Sequence, residues 1–169
     1  TGKKVLIEKG ELLFFQDDKP INLAGVMGGL DTSCNKETRK VLVEFAFFKQ
    51  EFILGKSLKY DLKSEAAYRF ERGTDILGHD QAIRRYIRVL EDHAKISSMR
   101  LFEDNSIKFQ PRKIEKDKEV IEKILGINLE DEEFDALLNR NGLEFDTKIM
   151  IPSYRNDISS QNDIAEEIA

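Results

Sequence analysis

Thiols are almost missing from this chain: Cys34 is the one cysteine in 169 residues. No internal disulfide can form, which favours a reducing, cytoplasmic setting. Cys34 lies in a polar, turn-like stretch without a neighbouring His or Cys and reads as a bystander thiol. Histidine is scarce as well, with only His79 and His93. No Ser/His/Asp or Cys/His set has a plausible order for nucleophilic catalysis. Long apolar runs are lacking too; a stretch such as Phe45 to Phe48 is far too short to span a bilayer, so no membrane role is expected. There is no Gly-rich P-loop, no signal peptide, no internal repeat and no low-complexity segment.

The residues that are present describe a soluble globular chain, long enough for one domain or two small ones. Hydrophobic residues make up 40% and charged residues 35%, a balance unlike that of disordered proteins. The net charge is -5. Residues 1–106 are nearly neutral, and residues 107–169 carry the acidic excess. Charge alone therefore does not suggest RNA. The chain begins without Met and stops inside a helical pattern at Ala169, and it reads as a piece of something longer.

The first half has an α+β pattern. Val5-Leu6-Ile7 and Leu12 to Phe15 flank Lys9-Gly10 and predict a hairpin. Asp17-Asp18-Lys19-Pro20 is a turn cluster. Ile21 to Val26 runs into Gly28-Gly29, and Val41 to Phe48 predicts a strand. Helices are expected near Lys49 to Ser57 and from Asp80 to His93, the second with Ile83, Ile87, Leu90 and Ala94 on one face. The polar segment at Asn105 to Pro111 suggests a boundary, giving domains 1–106 and 107–169. Beyond it, Asp117 to Leu125 predicts a helix stopped by Gly126. Leu129 to Asn141 predicts another, with Phe134, Leu137 and Leu138 inward and Gly142 just past its end. Leu143 to Phe145 and Ile149 to Ile151 form a small hairpin, Pro152 ends the second strand, and a last helix begins near Asp163. That order is winged-helix-like.

Four groups of residues draw attention. Glu44 is the one charged residue in the apolar run Val41 to Phe48. A carboxylate in a central strand needs a partner, because unpaired burial is costly; strand alternation equally allows it to face solvent. Leu62 to Asp75 sets six charged residues among aromatics and small residues, with Arg72-Gly73 near its end, like a site wall or fixed junction. Arg69 and Arg72 alternate with Glu71 as an internal salt-bridge set. Arg84, Arg85 and Arg88 lie opposite the apolar stripe of their helix, either as phosphate contacts or as a solvated face beside Asp80 and Glu91. Finally, Asp163, Glu166 and Glu167 share a helix face, and Asp157 can fold over it. Four carboxylates suit a hard cation such as Mg2+; acids near a helix start need no metal.

Three of these segments, in order and at matching spacing, resemble the beta subunit of bacterial-type phenylalanyl-tRNA synthetase. They are the turn Gly25-Val26-Met27-Gly28-Gly29, the run Leu42 to Phe47, and Ser64 to Gly73. Pro152 to Asp157 and Asp163 to Ala169 resemble the same family's magnesium motif position by position. The resemblance implies a mixed-sheet editing domain, partial here, followed by a small winged-helix-like α+β domain. It further implies hydrolysis of tyrosine misattached to phenylalanine tRNA, by a positioned water assisted by the tRNA's terminal ribose hydroxyl. Glu44 would read the tyrosine hydroxyl, Gly28 would admit the amino acid, and Ser64 and Ala66 would line the pocket. Arg84 and Arg88 would meet the tRNA acceptor end. Asp157, Asp163, Glu166 and Glu167 would hold Mg2+. The partners implied are the tRNA and an alpha subunit, in a heterotetramer of two alpha and two beta chains whose alpha subunit uses ATP. Ser64 replaces the family's usual Thr, keeping the hydroxyl without the methyl. The family's editing histidine falls upstream of Thr1.

Two readings follow. In the first the region is an editing hydrolase; in the second it is a non-catalytic RNA-binding or assembly scaffold. A buried Glu44 beside an open cavity near Gly28 favours the first, and a solvent-facing Glu44 with no cavity favours the second.

Overall fold

The computed structural model describes residues 2–104 and 107–169. The chain divides into two compact units. One runs through Thr74 and adds Gly78–Val89; the other holds Asp75–Leu77 and the chain from Leu90 onward. The boundary expected at 106/107 abuts Asn105 and Ser106, which lie outside the described residues.

The first unit is built on a three-stranded antiparallel sheet of β1 (Leu13–Gln16), β2 (Lys19–Leu23) and β3 (Met27–Gly28), in that order. The hairpin between β1 and β2 turns at Asp17-Asp18, with Asp17 at φ +53. The hairpin expected at Lys9-Gly10 is not formed, and residues 5–7 carry no strand. Both turns hold a residue at positive φ, Gly10 at +96 and Asp17 at +53, and the strands pair only across the second. β2 returns into β3 through Ala24-Gly25-Val26. Gly25 is at φ +67, and a Cβ there would stand 2.8 Å from Ile53 Cδ1. Glycine is required at that corner on both counts.

The strand expected at Val41 to Phe48 is absent. The segment carries no regular structure, and Leu42 is 88% exposed. β-propensity expresses a fit to a half-buried pleated surface rather than a backbone preference, and no described strand pairs with this run. Its second half is used: Phe48 is buried and packs edge-on against Phe70 at 4.9 Å, Ala46 packs on the same core, and Phe45 meets Tyr86 edge-on at 5.6 Å. The helix expected over 49–57 is broken into α1 (Gln50–Ile53) and α2 (Lys56–Lys59) by Gly55 at φ +76. α3 (Glu65–Arg72) follows, capped by Ser64, and Gly73 at φ +89 ends it. α4 (His79–Glu91) holds Ile83 and Ile87 only half-buried. The core comprises Leu23, Ala24, Val26, Phe48, Ile53, Tyr60, Leu62 and Ala67.

The second unit follows its sequence more closely. β4 (Arg112–Glu115), unforeseen in the sequence, pairs with β6 (Lys148–Ile151), which pairs in turn with β5 (Glu144–Phe145). α5 (Lys118–Leu125) starts on the Asp117 side chain, which accepts from Val120 N, and stops at Gly126 in the left-handed conformation. α6 (Asp131–Arg140) buries Phe134 and Leu138. α7 (Gln161–Ile168) starts in a capping box between Ser160 and Asp163. Ile121, Phe134, Leu138, Leu143, Ile149, Ile158 and Ile164 form one continuous core. The α+β class with small antiparallel sheets is thus as expected.

Candidate functional site

The β2–β3 corner gathers three of the four residues expected in a pocket. Gly28 is the register partner of Asn22. The Asn22 side-chain amide donates to Glu44 Oε2 at 3.4 Å. Ser64 donates its hydroxyl to the Val26 carbonyl at 2.6 Å and accepts from Ala67 N at 3.0 Å. One hydroxyl therefore caps α3 and fastens it to the turn before Gly28. Ala66, two residues into that helix, is exposed. The Leu62 to Asp75 motif is thus a capped helix whose cap residue is also the site's serine.

The space over Gly28 is open: a Cβ built there meets nothing within 4 Å. At Gly29, by contrast, a Cβ would lie 2.9 Å from the Ile21 carbonyl oxygen, which closes that position to any side chain. Glu44 is exposed and stands on an irregular segment, not inside a central strand. Neighbouring protein still desolvates its carboxyl enough to raise its pKa above the ordinary range. The exposure governs its energetics, because water still reaches the group. The site is an open face with a carboxylate at its edge, not a sealed cavity.

Arg84 is tied to Asp80 at 3.5 Å across one helical turn, both exposed. With Arg85 it lines a shallow groove that also takes in Gly78, Gln81 and Ala82. Arg88 is exposed on the same helix. Arg69 pairs with Glu65 at 3.9 Å, and Arg72 stacks over the Tyr68 ring at 3.6 Å and donates to the Tyr68 carbonyl. These surface contacts replace the internal salt-bridge set expected with Glu71. His79 opens α4, and His93 lies in the turn just past its end.

The acidic end of the second unit is organised around a cation the chain supplies. Arg155 Nε and Nη2 reach Asp157 at 2.6 to 3.2 Å, and Nη1 donates to Glu167 Oε2 at 2.8 Å. Hydrogen bonds from Arg155 hold the carboxyls of Asp157 and Glu167 below the usual range. Asp163 Oδ2 accepts from the backbone and hydroxyls of Ser159 and Ser160, which lowers its pKa too. Glu166 is exposed. Magnesium requires a near-octahedral oxygen set. Among the described residues no group of three or more His, Cys, Asp or Glu is placed to hold a metal. As arranged, these acids do not fit the ion, because an arginine and a helix cap already engage three of them.

A second charged cluster gave no signal in the sequence. The Glu11 side chain is 2% exposed and meets Lys56 Nζ at 2.6 Å, Lys59 Nζ at 2.8 Å and the Tyr60 hydroxyl at 2.7 Å. Burial raises the Glu11 pKa, but these hydrogen bonds outweigh it and bring the carboxyl down to about 2. The partners lie more than 40 positions away, beyond the reach of any local pattern.

Residues 1–95 match the B3/4 domain family, and residues 114–169 match the tRNA synthetase B5 domain. The chain belongs to the B3/4 domain family, with a B5 domain following in the same chain. Its similar relatives are named phenylalanine–tRNA ligase beta subunit. That of Xanthomonas euvesicatoria is 33% identical over 99% of this chain, and that of Chlamydia caviae 32% over 99%. That of Francisella tularensis is 31% identical over 98%. The chain spans 22% of the length of each of these relatives. Among the described residues no helix is long and apolar enough to cross a membrane.

Proposed function

We propose that this chain is the editing region of a phenylalanine–tRNA ligase beta subunit, joined to its B5 domain, and that the β2–β3 corner receives the aminoacyl group of mischarged tyrosyl-tRNA. One observation carries the reading: Gly28 opens onto free space while its strand partner Asn22 holds Glu44 alongside. A synthetic pocket built for phenylalanine rejects an added hydroxyl only about a hundredfold. A second site that uses the hydroxyl can add to that. When a bound aminoacyl end displaces water from Glu44, the carboxylate loses solvation. The tyrosine hydroxyl restores a hydrogen bond and phenylalanine does not. The difference is roughly 1–3 kcal/mol. Ser64 and Ala66 flank the ring, and Ser64 fixes the helix that carries them both. Water is the nucleophile, with the tRNA's terminal ribose hydroxyl assisting; the protein orients the ester.

The remaining roles belong to the whole enzyme. The tRNA acceptor end, met by Arg84 and Arg88, and an alpha subunit that charges the tRNA with ATP are the partners of a cytoplasmic assembly of two alpha and two beta chains. Magnesium engagement by Asp157, Asp163, Glu166 and Glu167 in that assembly requires Asp157 and Glu167 to exchange Arg155 for the ion. No step of the editing reaction is assigned to it.

The exposure of Glu44 favours a second reading, an assembly or RNA-binding scaffold in which the carboxylate only holds Asn22. Deacylation of tyrosyl- and phenylalanyl-tRNA by the whole enzyme, with Glu44 or Glu44→Ala, separates the two. On the editing reading the substitution lowers the preference for tyrosyl-tRNA by about 10- to 100-fold. Unchanged hydrolysis of tyrosyl-tRNA assigns Glu44 to structure and leaves the scaffold.

A further inference from the structure

We infer that Arg155 is the resident counter-ion of the acidic end, occupying the place a divalent cation would take and masking Asp157 and Glu167 from metal. The guanidinium is a planar fork with five N–H donors. Here it touches all four oxygens of the two carboxylates. Nε lies 2.9 Å from Asp157 Oδ1 and 3.2 Å from Oδ2, Nη2 lies 2.6 Å from Oδ2, Nη1 lies 2.8 Å from Glu167 Oε2, and Nη2 lies 2.6 Å from Oε1. Arg155 and Glu167 are largely withdrawn from water, at 19% and 29% side-chain exposure. A cation approaching Glu167 must displace an arginine that is both close and partly desolvated, while Asp157, at 64% side-chain exposure, is engaged through the fork contacts alone.

Both ends of the clamp are fixed independently. On the loop side, Ile158 is fully buried, the Arg112 guanidinium donates to its carbonyl, and the Gln161 amide donates to the Glu115 carbonyl at 2.6 Å. On the helix side, the Asn141 amide donates to the Glu167 carbonyl at 2.8 Å and to the Leu137 carbonyl at 3.0 Å. Glu167 lies in the last turn of α7, where a positive charge is favoured by the helix dipole. Arg155 therefore joins two rigid points, and its charge is the one most economically held there. Asp163 is excluded from metal duty by a different device, the capping box at the other end of α7.

Titration of the 169-residue chain with Mg2+, and with Mn2+ followed by electron paramagnetic resonance, tests this. The wild type is expected to take up neither ion at about millimolar concentration, with a Tm that Mg2+ does not move. Arg155→Gln is expected to melt lower without metal, to gain Mn2+ uptake, and to recover part of its Tm in Mg2+. The triple variant Arg155→Gln, Asp157→Asn, Glu167→Gln should lose that gain. Stoichiometric Mn2+ uptake by the wild type overturns the inference, as does Arg155→Gln that folds yet gains no metal. If Arg155→Gln does not fold, Arg155→Lys serves, keeping one charge without the fork. It should take up more Mn2+ than the wild type, and equal uptake overturns the masking. The inference does not rest on the editing reading, and neither result bears on Glu44.

Discussion

The two units of this chain hold themselves together by different means. The second closes around one continuous core of Ile, Leu and Phe side chains, its helices α5 and α7 begin on side-chain caps, and α5 stops at a left-handed glycine. The first has a smaller core and two four-residue helices without side-chain caps, and it leaves Leu6, Leu42 and Leu58 more than four-fifths exposed. It compensates with long-range polar ties: Glu11 to Lys56, Lys59 and Tyr60, and Lys3 to Asp61 at 2.8 Å. The contrast shows where precision is placed. The candidate site lies in the unit whose corner depends on single residues such as Gly25, Gly29 and Ser64, while the acidic end rests on a conventionally packed core.

The sharpest way to break this comparison is to cut into the better core. Phe134→Ala removes a side chain with 1% exposure, and its expected cost is about 3–5 kcal/mol. Amide exchange should rise across residues 112–168 and stay unchanged in the first unit. An equal rise in both would mean the cores are not independent.

Next in size is Glu11→Gln, which strands two lysines that are themselves part-exposed; roughly 1–3 kcal/mol should be lost from the first unit. The sign with pH is definite. The folded carboxyl titrates at about 2, below its ordinary 4.5. Its stabilisation is complete above the ordinary value and disappears as pH falls toward 2. Urea midpoints measured from neutral pH down through that window should decline for the wild type and decline less steeply for Glu11→Gln. Parallel profiles would remove Glu11 from the account.

The smallest expected effects compare two caps. Ser160→Ala should cost about 1 kcal/mol, the usual value of a lost cap. Ser64→Ala should cost about 1.5 kcal/mol, because the Val26 carbonyl loses its donor as well. Urea denaturation of both variants measures the difference. If Ser160→Ala is the more damaging, the β2–β3 corner does not depend on Ser64.

Much of the second unit was legible before the structure. Asp117 and Gly126 bracket α5 by local chemistry, Gly142 follows α6, and the apolar spacing of α6 faces inward because helical period alone decides it. The first unit was less legible. Two turn signals competed there, Lys9-Gly10 and Asp17-Asp18, and the strands paired across the second. The run at 41–48 has strand composition but pairs with no described strand. β4 was missed because its partner β6 lies more than 30 positions away.

For the site, the resemblance of short motifs to the synthetase beta subunit implied Gly28, Glu44, Ser64 and Ala66, and local composition named the acids. Those are properties of the linear chain: residue type, cap chemistry and periodicity act within a few positions. Whether Glu44 meets water, that Asn22 and not a strand neighbour holds it, and that Arg155 claims the carboxylates of Asp157 and Glu167 were decided only in three dimensions. Solvation and ion pairing depend on which distant groups arrive within a few ångströms, and spacing along the chain does not carry that information.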